Sequence, residues 1–110
     1  INGKLSLGEN IADIAGLNIA WDAWQMSLKG KKAPVIDGKS GAERFYLGYG
    51  QIWRTKYRDA AMERQLTVGP HSPGNFRPLT VRNHAPWYET FGVKPGEKLY
   101  LTPDERVAIW

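Results

Sequence analysis

The chain has 110 residues, of which 42% are hydrophobic and 24% charged, and its formal net charge is +4. This length suits one unit over residues 1–110, either a single domain or part of a larger one. The lack of cysteine excludes disulfides and thiolate metal sites, and no apolar run reaches the roughly 18 residues of a membrane span.

The first predicted element is a long helix over residues 7–29. Ser6-Leu7-Gly8-Glu9 has the form of a capping box, which places the helix start at Ser6. Apolar residues then recur every three or four positions, so one face of the helix should be buried: Ile14, Leu17, Trp21, Trp24 and Leu28.

The basic cluster Lys29-Gly30-Lys31-Lys32 follows this helix. Such a cluster could form a nucleic-acid patch, and the sequence pI near 9.5 is compatible with one. We favour a solvated cluster at a helix C-terminus, where Gly30 ends the helix and cations interact well with its dipole. Because no aromatic residues alternate with these lysines to stack on bases, we expect no nucleic-acid partner.

A second capping box, Ser40-Gly41-Ala42-Glu43, follows a loop at residues 31–39 and predicts the start of a second helix. The helix should reach about Arg64, because helical spacing continues through Phe45, Tyr49, Ile52 and Trp53. Residues 67–83 contain three Pro and two Gly, which predicts a long irregular connection.

The last third of the chain predicts two short elements. Residues 85–91 suit a short helix with Pro86 in its first turn, and Thr102-Pro103-Asp104-Glu105 has the form of a third capping box. Residues 107–110 are too apolar for a free tail and should dock onto a core. The expected fold is therefore mainly α, with two long helices, short helices and irregular loops. Such a thin core suggests packing against protein outside this chain, or against a second copy.

Glu9 and Asp13 are four residues apart, so they share one helix face, where two carboxylates repel each other. Glu9 could simply be the capping partner of Ser6, and Asp13 could be a solvated residue on the polar face. The small residues Gly8, Ala12 and Gly16 beside them would instead let another backbone approach, which favours a metal or acid–base role.

His71 and Arg77 lie in the irregular segment, where Pro70 and Pro73 restrict the backbone. They could be a turn histidine and a surface arginine. A rigid loop could also hold them as a clamp for an oxyanion or a carbonyl group. The other histidine, His84, is interpreted as a residue at the start of a helix.

Glu-Asn-x-Ala-Asp in the first helix is followed roughly sixty residues later by His-Ser-Pro-Gly-x-x-Arg. The chain contains, in order, NGKLSLGENIADIAGLNIAWDAW, FYLGYGQIW, HSPGNFR, NHAPWYETF and the terminal Trp110. These stretches resemble the C-terminal end of the neprilysin-family zinc endopeptidases, which include neprilysin, the endothelin-converting enzymes and bacterial oligopeptidases. The resemblance covers essentially the whole chain. It implies the C-terminal portion of a thermolysin-like (zincin) catalytic domain that acts on oligopeptides.

The resemblance implies that Glu9 is the third protein ligand of a catalytic zinc ion. Asp13 matches the carboxylate that supports a zinc-binding histidine through its second ring nitrogen. A catalytic zinc takes two His and one carboxylate, and a supporting carboxylate fixes the histidine tautomer. The charge of the metal would also remove the repulsion between the two acids.

The resemblance also implies four roles in substrate binding and catalysis. His71 matches the histidine that stabilises the tetrahedral oxyanion, and Arg77 matches the arginine that grips a substrate carbonyl. Ile52 and Trp53 align with a pair that lines the pocket for the side chain after the scissile bond. A plain core role for Ile52 and Trp53 remains equally open, since both lie on the apolar face of the second helix.

The sequence departs from the family pattern in three respects, which concern the His-Glu-x-x-His helix, Pro78 and cysteine. It lacks the His-Glu-x-x-His helix that carries the other zinc ligands and the general base, so the chain alone should neither hold zinc tightly nor hydrolyse peptides. Pro78 follows the motif arginine, where the family has an apolar, unconstrained residue. The chain starts with Ile1 and shows no signal peptide, so we expect a segment cut from a longer protein, whose N-terminal part is its partner. The absence of cysteine departs from animal members and favours a bacterial origin. For a bacterial member of the family, a periplasmic or extracytoplasmic location is favoured over a cytoplasmic one.

Two other functions remain open. One is a non-catalytic helical interaction module or degenerate peptidase homologue, which could self-associate through apolar helix surface. The other is the basic nucleic-acid binder considered above. Oligopeptide substrates and one zinc ion in the full-length protein are expected only for the peptidase.

Overall fold

The computed structural model describes residues 1–109, and these residues are mainly helical, as predicted. Residues 1–109 contain four α-helices, α1 (Gly3–Ser27), α2 (Gly41–Ile52), α3 (Asp59–Val68) and α4 (Ala85–Phe91), and two 3₁₀ helices, Arg77–Asn83 and Pro103–Glu105. Within the described residues, the extended backbone pairs only at an isolated bridge between Ile36 and Lys39. None of the helices in this part of the chain combines the length and the apolar character needed to cross a membrane.

The first helix begins earlier than the sequence predicts. Asn2 is its N-cap, and the side-chain oxygen of Asn2 accepts hydrogen bonds from the backbone N–H groups of Lys4 and Leu5, at 3.2 and 3.3 Å. The predicted capping box at Ser6 is therefore wrong. Ser6 is 2% exposed, and its hydroxyl donates to the carbonyl of Asn2. Glu9 consequently has no capping role.

The buried face of α1 lies where the apolar spacing places it. Leu17 is buried, and the other four predicted residues, Ile14, Trp21, Trp24 and Leu28, are partly buried. The helix ends at Ser27, slightly before the predicted end, and Lys29 and Gly30 follow with left-handed φ angles of 50° and 75°.

The start of the second helix is confirmed, but its predicted length is wrong. Ser40 and Glu43 form the reciprocal capping box, with distances of 2.7 and 3.1 Å. The helix stops at Ile52 instead of continuing to about Arg64.

The chain leaves the helix at Trp53 because this segment packs against later residues. The Trp53 ring lies 3.8 Å from the guanidinium carbon of Arg77. A Cβ atom at Gly74 would collide with the Thr55 hydroxyl, so glycine permits the close approach of the two segments. Residues 53–58 are therefore not helical, and α3 begins at Asp59.

The 67–83 segment is more ordered than expected, because α3 extends to Val68 and residues 77–83 form a 3₁₀ helix. The short helix at residues 85–91 and the third capping box are confirmed, and His84 is the N-cap residue of α4. The predicted docking of residues 107–110 involves Trp110, which lies outside the described residues. Within the described part, Val107 donates its backbone N–H to the side chain of Asn83 at 2.9 Å.

An aromatic core joins the two longest helices to α4. Its buried residues are Tyr46, Trp87 and Tyr88, and several partly buried side chains pack against them: Trp21, Phe45, Val81, Val93 and Tyr100. Ile1, near the start of the chain, and several large apolar side chains of α1 are exposed: Leu5, Leu7, Ile11, Ile19 and Met26. The structure therefore has one small core and an uncovered apolar surface on α1.

A buried Tyr46–His84 pair makes the stability of this core depend on pH. Burial raises the pKa of Tyr46, so its hydroxyl stays protonated, and this hydroxyl forms a hydrogen bond with Nδ1 of His84 at 2.6 Å. Burial lowers the pKa of His84 from the ordinary value of 6.5, although Asp22 opposes this shift. The unfolded chain therefore binds a proton at His84 more readily than the folded chain does. The contribution of neutral His84 to stability is fully present above the pKa that His84 has in the unfolded chain. It is lost as the pH falls through the lower pKa that His84 has in the folded chain.

We therefore expect the free energy of unfolding of the chain, measured by urea denaturation, to decrease between about pH 7.5 and about pH 5. His84→Gln should show a smaller decrease over the same range, because glutamine does not titrate. Equal pH dependence in both proteins would contradict a neutral, buried His84.

Candidate functional site

Two side-chain contacts connect α1 with the loop at residues 69–77. Asp13 pairs with Arg77, and Glu9 contacts His71. Glu9 also lies close enough to Arg77 to raise its pKa slightly. The structure thus brings together the four residues that the compound motif singles out, here called the charged cluster: Glu9, Asp13, His71 and Arg77.

The Asp13–Arg77 pair is a two-pronged salt bridge. Arg77 Nε donates to Asp13 Oδ2 at 2.7 Å, and Arg77 Nη2 donates to Asp13 Oδ1 at 2.6 Å. The two side chains are only 17% and 12% exposed, so water competes little for these bonds. The hydrogen bond to Asp13 is the main reason that the pKa of Arg77 is raised.

Arg77 keeps donor capacity while it is anchored. A guanidinium has five N–H groups, and the bonds to Asp13 use one on Nε and one on Nη2. The two N–H groups of Nη1 and the second of Nη2 remain for another acceptor. The arrangement therefore suits an arginine that is fixed in place and binds a neutral carbonyl oxygen.

The Glu9–His71 contact is longer and more exposed. His71 Nδ1 lies 3.4 Å from Glu9 Oε2, without hydrogen-bond geometry, and the side chains are 43% and 46% exposed. The backbone of the loop is held more firmly: Gln65 on α3 donates to the His71 carbonyl at 2.8 Å, and Ser72 donates to Asn10 on α1 at 2.9 Å. The imidazole therefore projects from a fixed backbone and keeps room to move.

Ile52 and Trp53 differ in their surroundings. Ile52 is 65% exposed, so a core role for it is wrong within the described residues. Trp53 is partly buried, with its ring under the Arg77 guanidinium. An apolar cavity of about 290 Å³ lies between α1 and α2. Asp13 lines one part of it, and the following residues also line it: Gly16, Leu17, Ala20, Phe45, Tyr49 and Ile52. Ile52 thus faces a space large enough for a side chain.

The described residues do not form a metal site by themselves. Among residues 1–109, no group of three or more His, Cys, Asp or Glu side chains is placed to hold a metal ion. Glu9 nevertheless presents a half-exposed carboxylate, which suits a single zinc ligand. Each oxygen of Asp13 takes one bond from Arg77 and keeps a lone pair that could accept an imidazole N–H.

The sequence does not predict two contacts at the site. The opposite charges of Asp13 and Arg77 within one compound motif are a signal for their pairing, but spacing cannot distinguish this pairing from others. The hydrogen bond between Tyr49 and Thr80 has no signal in the sequence, because both residues also suit the surfaces of their helices.

Comparisons with known proteins identify the family of the chain. The family model of peptidase family M13 matches residues 1–107. Human neprilysin is 34% identical over 115 aligned residues, and the neutral endopeptidase of Lactobacillus helveticus is 33% identical over 111. Both alignments cover the whole of this chain, which spans 15% and 16% of the lengths of those proteins.

Solved structures show the same fold. The zinc metalloprotease Zmp1 of Mycobacterium tuberculosis, solved in complex with an inhibitor and in an open state, gives TM-scores of 0.95 and 0.94. It is 49% identical, and the match covers all of this chain and 17% of the Zmp1 chain. The resemblance inferred from the motifs is therefore confirmed, and the chain belongs to peptidase family M13, as neprilysin does.

Proposed function

We propose that the full-length protein is a zinc-dependent metalloendopeptidase that cleaves oligopeptides, and that residues 1–110 form the C-terminal portion of its catalytic domain. The convergence of the four motif residues in one charged cluster is the observation that carries this proposal. Membership of family M13 supports it, because the similar solved structures are named as a zinc metalloprotease and one relative is named as a neutral endopeptidase.

In this proposal Glu9 is a zinc ligand and Asp13 supports a histidine ligand from the N-terminal part of the protein. Zinc, when bound, supplies Lewis-acid polarisation of a water molecule and of the scissile carbonyl group. The half-exposed carboxylate of Glu9 is accessible to such an ion. Asp13 would serve two partners at once, since its bonds to Arg77 leave lone pairs for the imidazole N–H.

The other two residues of the charged cluster act on the substrate. Arg77 donates its free N–H groups to a carbonyl oxygen of the peptide, while Asp13 keeps the guanidinium in place. His71 donates a hydrogen bond to the oxyanion that forms when the scissile carbonyl becomes tetrahedral. Its loose contact with Glu9 leaves the ring free to take that position.

The cavity between α1 and α2 accepts the substrate side chain that follows the scissile bond. Ile52 lines this cavity, and Trp53 supports the Arg77 guanidinium that binds the adjacent carbonyl. An apolar lining favours an apolar side chain at that position of the peptide.

The proposal predicts that the full-length protein cleaves oligopeptides only when it holds zinc. Treatment with a chelator should abolish cleavage and added zinc should restore it, as measured by mass spectrometry of the products. The chain of residues 1–110 alone should show no cleavage with zinc present, since it lacks the His-Glu-x-x-His motif. Full-length protein that holds zinc stoichiometrically and cleaves none of a diverse peptide library would contradict the proposal.

The exposed apolar residues of α1 favour one alternative, a helical interaction module that self-associates. In the leading proposal, this surface packs against the N-terminal part of the same protein. Light scattering after size-exclusion chromatography distinguishes the two for the isolated chain. A concentration-dependent dimer supports self-association, and a stable compact monomer counts against it.

A further inference from the structure

The hydroxyl group of Tyr49 is connected to the backbone of Arg77 through one intermediate side chain. Tyr49 Oη lies 2.8 Å from Thr80 Oγ1, and Thr80 Oγ1 lies 2.9 Å from the carbonyl oxygen of Arg77. A carbonyl oxygen only accepts, so the single hydroxyl hydrogen of Thr80 is committed to Arg77. Tyr49 must therefore donate its own hydrogen to Thr80. The hydrogen bonds run in one direction, from α2 to the residue that carries the guanidinium.

Arg77 is consequently held at both ends. Asp13 on α1 fixes the guanidinium, and Thr80 fixes the main-chain carbonyl within the 3₁₀ helix. Tyr49 and Trp53 lie four residues apart at the end of α2, so both face the same region, and the Trp53 ring packs under the guanidinium. Trp53 Nε1 approaches the Tyr49 hydroxyl without reaching hydrogen-bond geometry.

We propose that Tyr49 is a positioning residue for Arg77. Through Thr80, it fixes the backbone of Arg77 in the position from which the guanidinium binds a substrate carbonyl. This inference rests on the proposed peptidase function. A binding group displaced by a small distance loses much of its contribution, so the hydroxyl of Tyr49 affects turnover through Arg77. The Tyr49 ring also lines the cavity proposed for a substrate side chain, and Tyr49→Phe keeps that ring.

Tyr49 acts as a hydrogen-bond donor and not as an acid or base. Burial is the main cause that raises its pKa, and the nearby charge of Asp13 adds to this effect, while hydrogen bonding to Thr80 opposes it. The phenol therefore stays protonated at any pH at which a peptidase of this kind works. Replacing Tyr49 should accordingly leave the pH profile of cleavage unchanged.

The test uses the full-length enzyme and the variants Tyr49→Phe, Arg77→Ala and their combination. Tyr49→Phe removes one hydrogen bond, so kcat/KM for an oligopeptide should fall by about twofold to tenfold. The loss in Tyr49→Phe should be distributed between a lower kcat and a higher KM in the same proportion as the loss in Arg77→Ala. In the Arg77→Ala background, Tyr49→Phe should cause no further loss, because the group that it positions is gone.

Tyr46→Phe is the matched control, since it removes a hydroxyl from the same helix one turn earlier. That hydroxyl binds His84 in the core and does not face Arg77. We expect this variant to lower stability and to leave kcat/KM unchanged. Thr80→Val breaks the same connection from its other end and should reproduce the kinetic effect of Tyr49→Phe. It provides the test if Tyr49→Phe fails to fold.

The outcomes separate the inference from the proposed function. If wild-type protein shows no zinc-dependent cleavage, the proposed function is wrong and the inference falls with it. If wild-type protein is active, the inference alone is overturned by either of two results: an unchanged kcat/KM in Tyr49→Phe, or the same fractional loss with and without Arg77.

Discussion

Full-length protein carrying Glu9→Ala should lose most of its bound zinc and nearly all of its peptidase activity. Carboxylates that only support a metal ligand typically change metal affinity by about 10–100-fold when removed, and loss of a direct ligand should exceed this range. Zinc content is measured by mass spectrometry of the purified protein after dialysis against a metal-buffered solution. Activity is measured on the same preparation, so that both losses can be compared.

Glu63→Ala is a suitable control for Glu9→Ala, because Glu63 is an exposed acid on α3 and, within the described residues, forms no ion pair with the charged cluster. It should retain full zinc and full activity. Normal zinc content in Glu9→Ala would show that the Glu9 carboxylate is not a ligand. In that case the motif residues would require another explanation, such as binding of a cationic group on a partner.

Full-length His71→Ala should keep its zinc and lose activity, in contrast to Glu9→Ala, which should lose both. It should bind zinc normally, since the imidazole makes only a 3.4 Å contact with Glu9 and its proposed role lies in the transition state. The backbone carbonyl of residue 71, which accepts from Gln65, is retained in the variant. Removing one oxyanion donor typically lowers kcat by about 10²–10³-fold, and KM should change much less. Steady-state kinetics with zinc-loaded protein measures both parameters.

The same preparation of His71→Ala provides its own control through its zinc content. Loss of zinc together with activity would mean that His71 maintains the metal site and does not act on the oxyanion. A kcat near that of the wild-type protein would refute the catalytic role directly.

Local sequence patterns predict the elements whose stability is local. The reciprocal bonds of Ser40 and Glu43 need only four residues, so the capping box is visible in the sequence and is present in the structure. The same pattern at Ser6 fails because Asn2 caps the helix one turn earlier. Ser6 then becomes an interior position, and nothing in the pattern of Ser6 and Glu9 distinguishes the two cases.

The end of α2 could not be predicted from local patterns. Helical spacing continues past Ile52 in the sequence, and the residues that follow are compatible with a helix. The chain turns because Trp53 packs against Arg77 and because Gly74 lets another segment approach closely. Both contacts join residues that are about twenty positions apart in the sequence.

The identities of the candidate site residues follow from the compound motif, whereas their pairing follows from the fold. Spacing placed Glu9 and Asp13 on one face of a helix, and the structure keeps them there. Their partners come from a loop more than sixty positions away, held by Gln65 and Ser72. The salt bridge explains how two carboxylates one turn apart coexist: Asp13 is neutralised by Arg77, and Glu9 remains half-exposed for a cation.

Anomalous diffraction at the zinc absorption edge, from crystals of the full-length protein, locates the metal directly. We predict a peak about 2.0–2.2 Å from a carboxylate oxygen of Glu9, with Asp13 in contact with a histidine that also binds the metal. A zinc peak on other ligands, with Glu9 beyond bonding distance, would contradict the claim that the charged cluster forms one side of a catalytic zinc site.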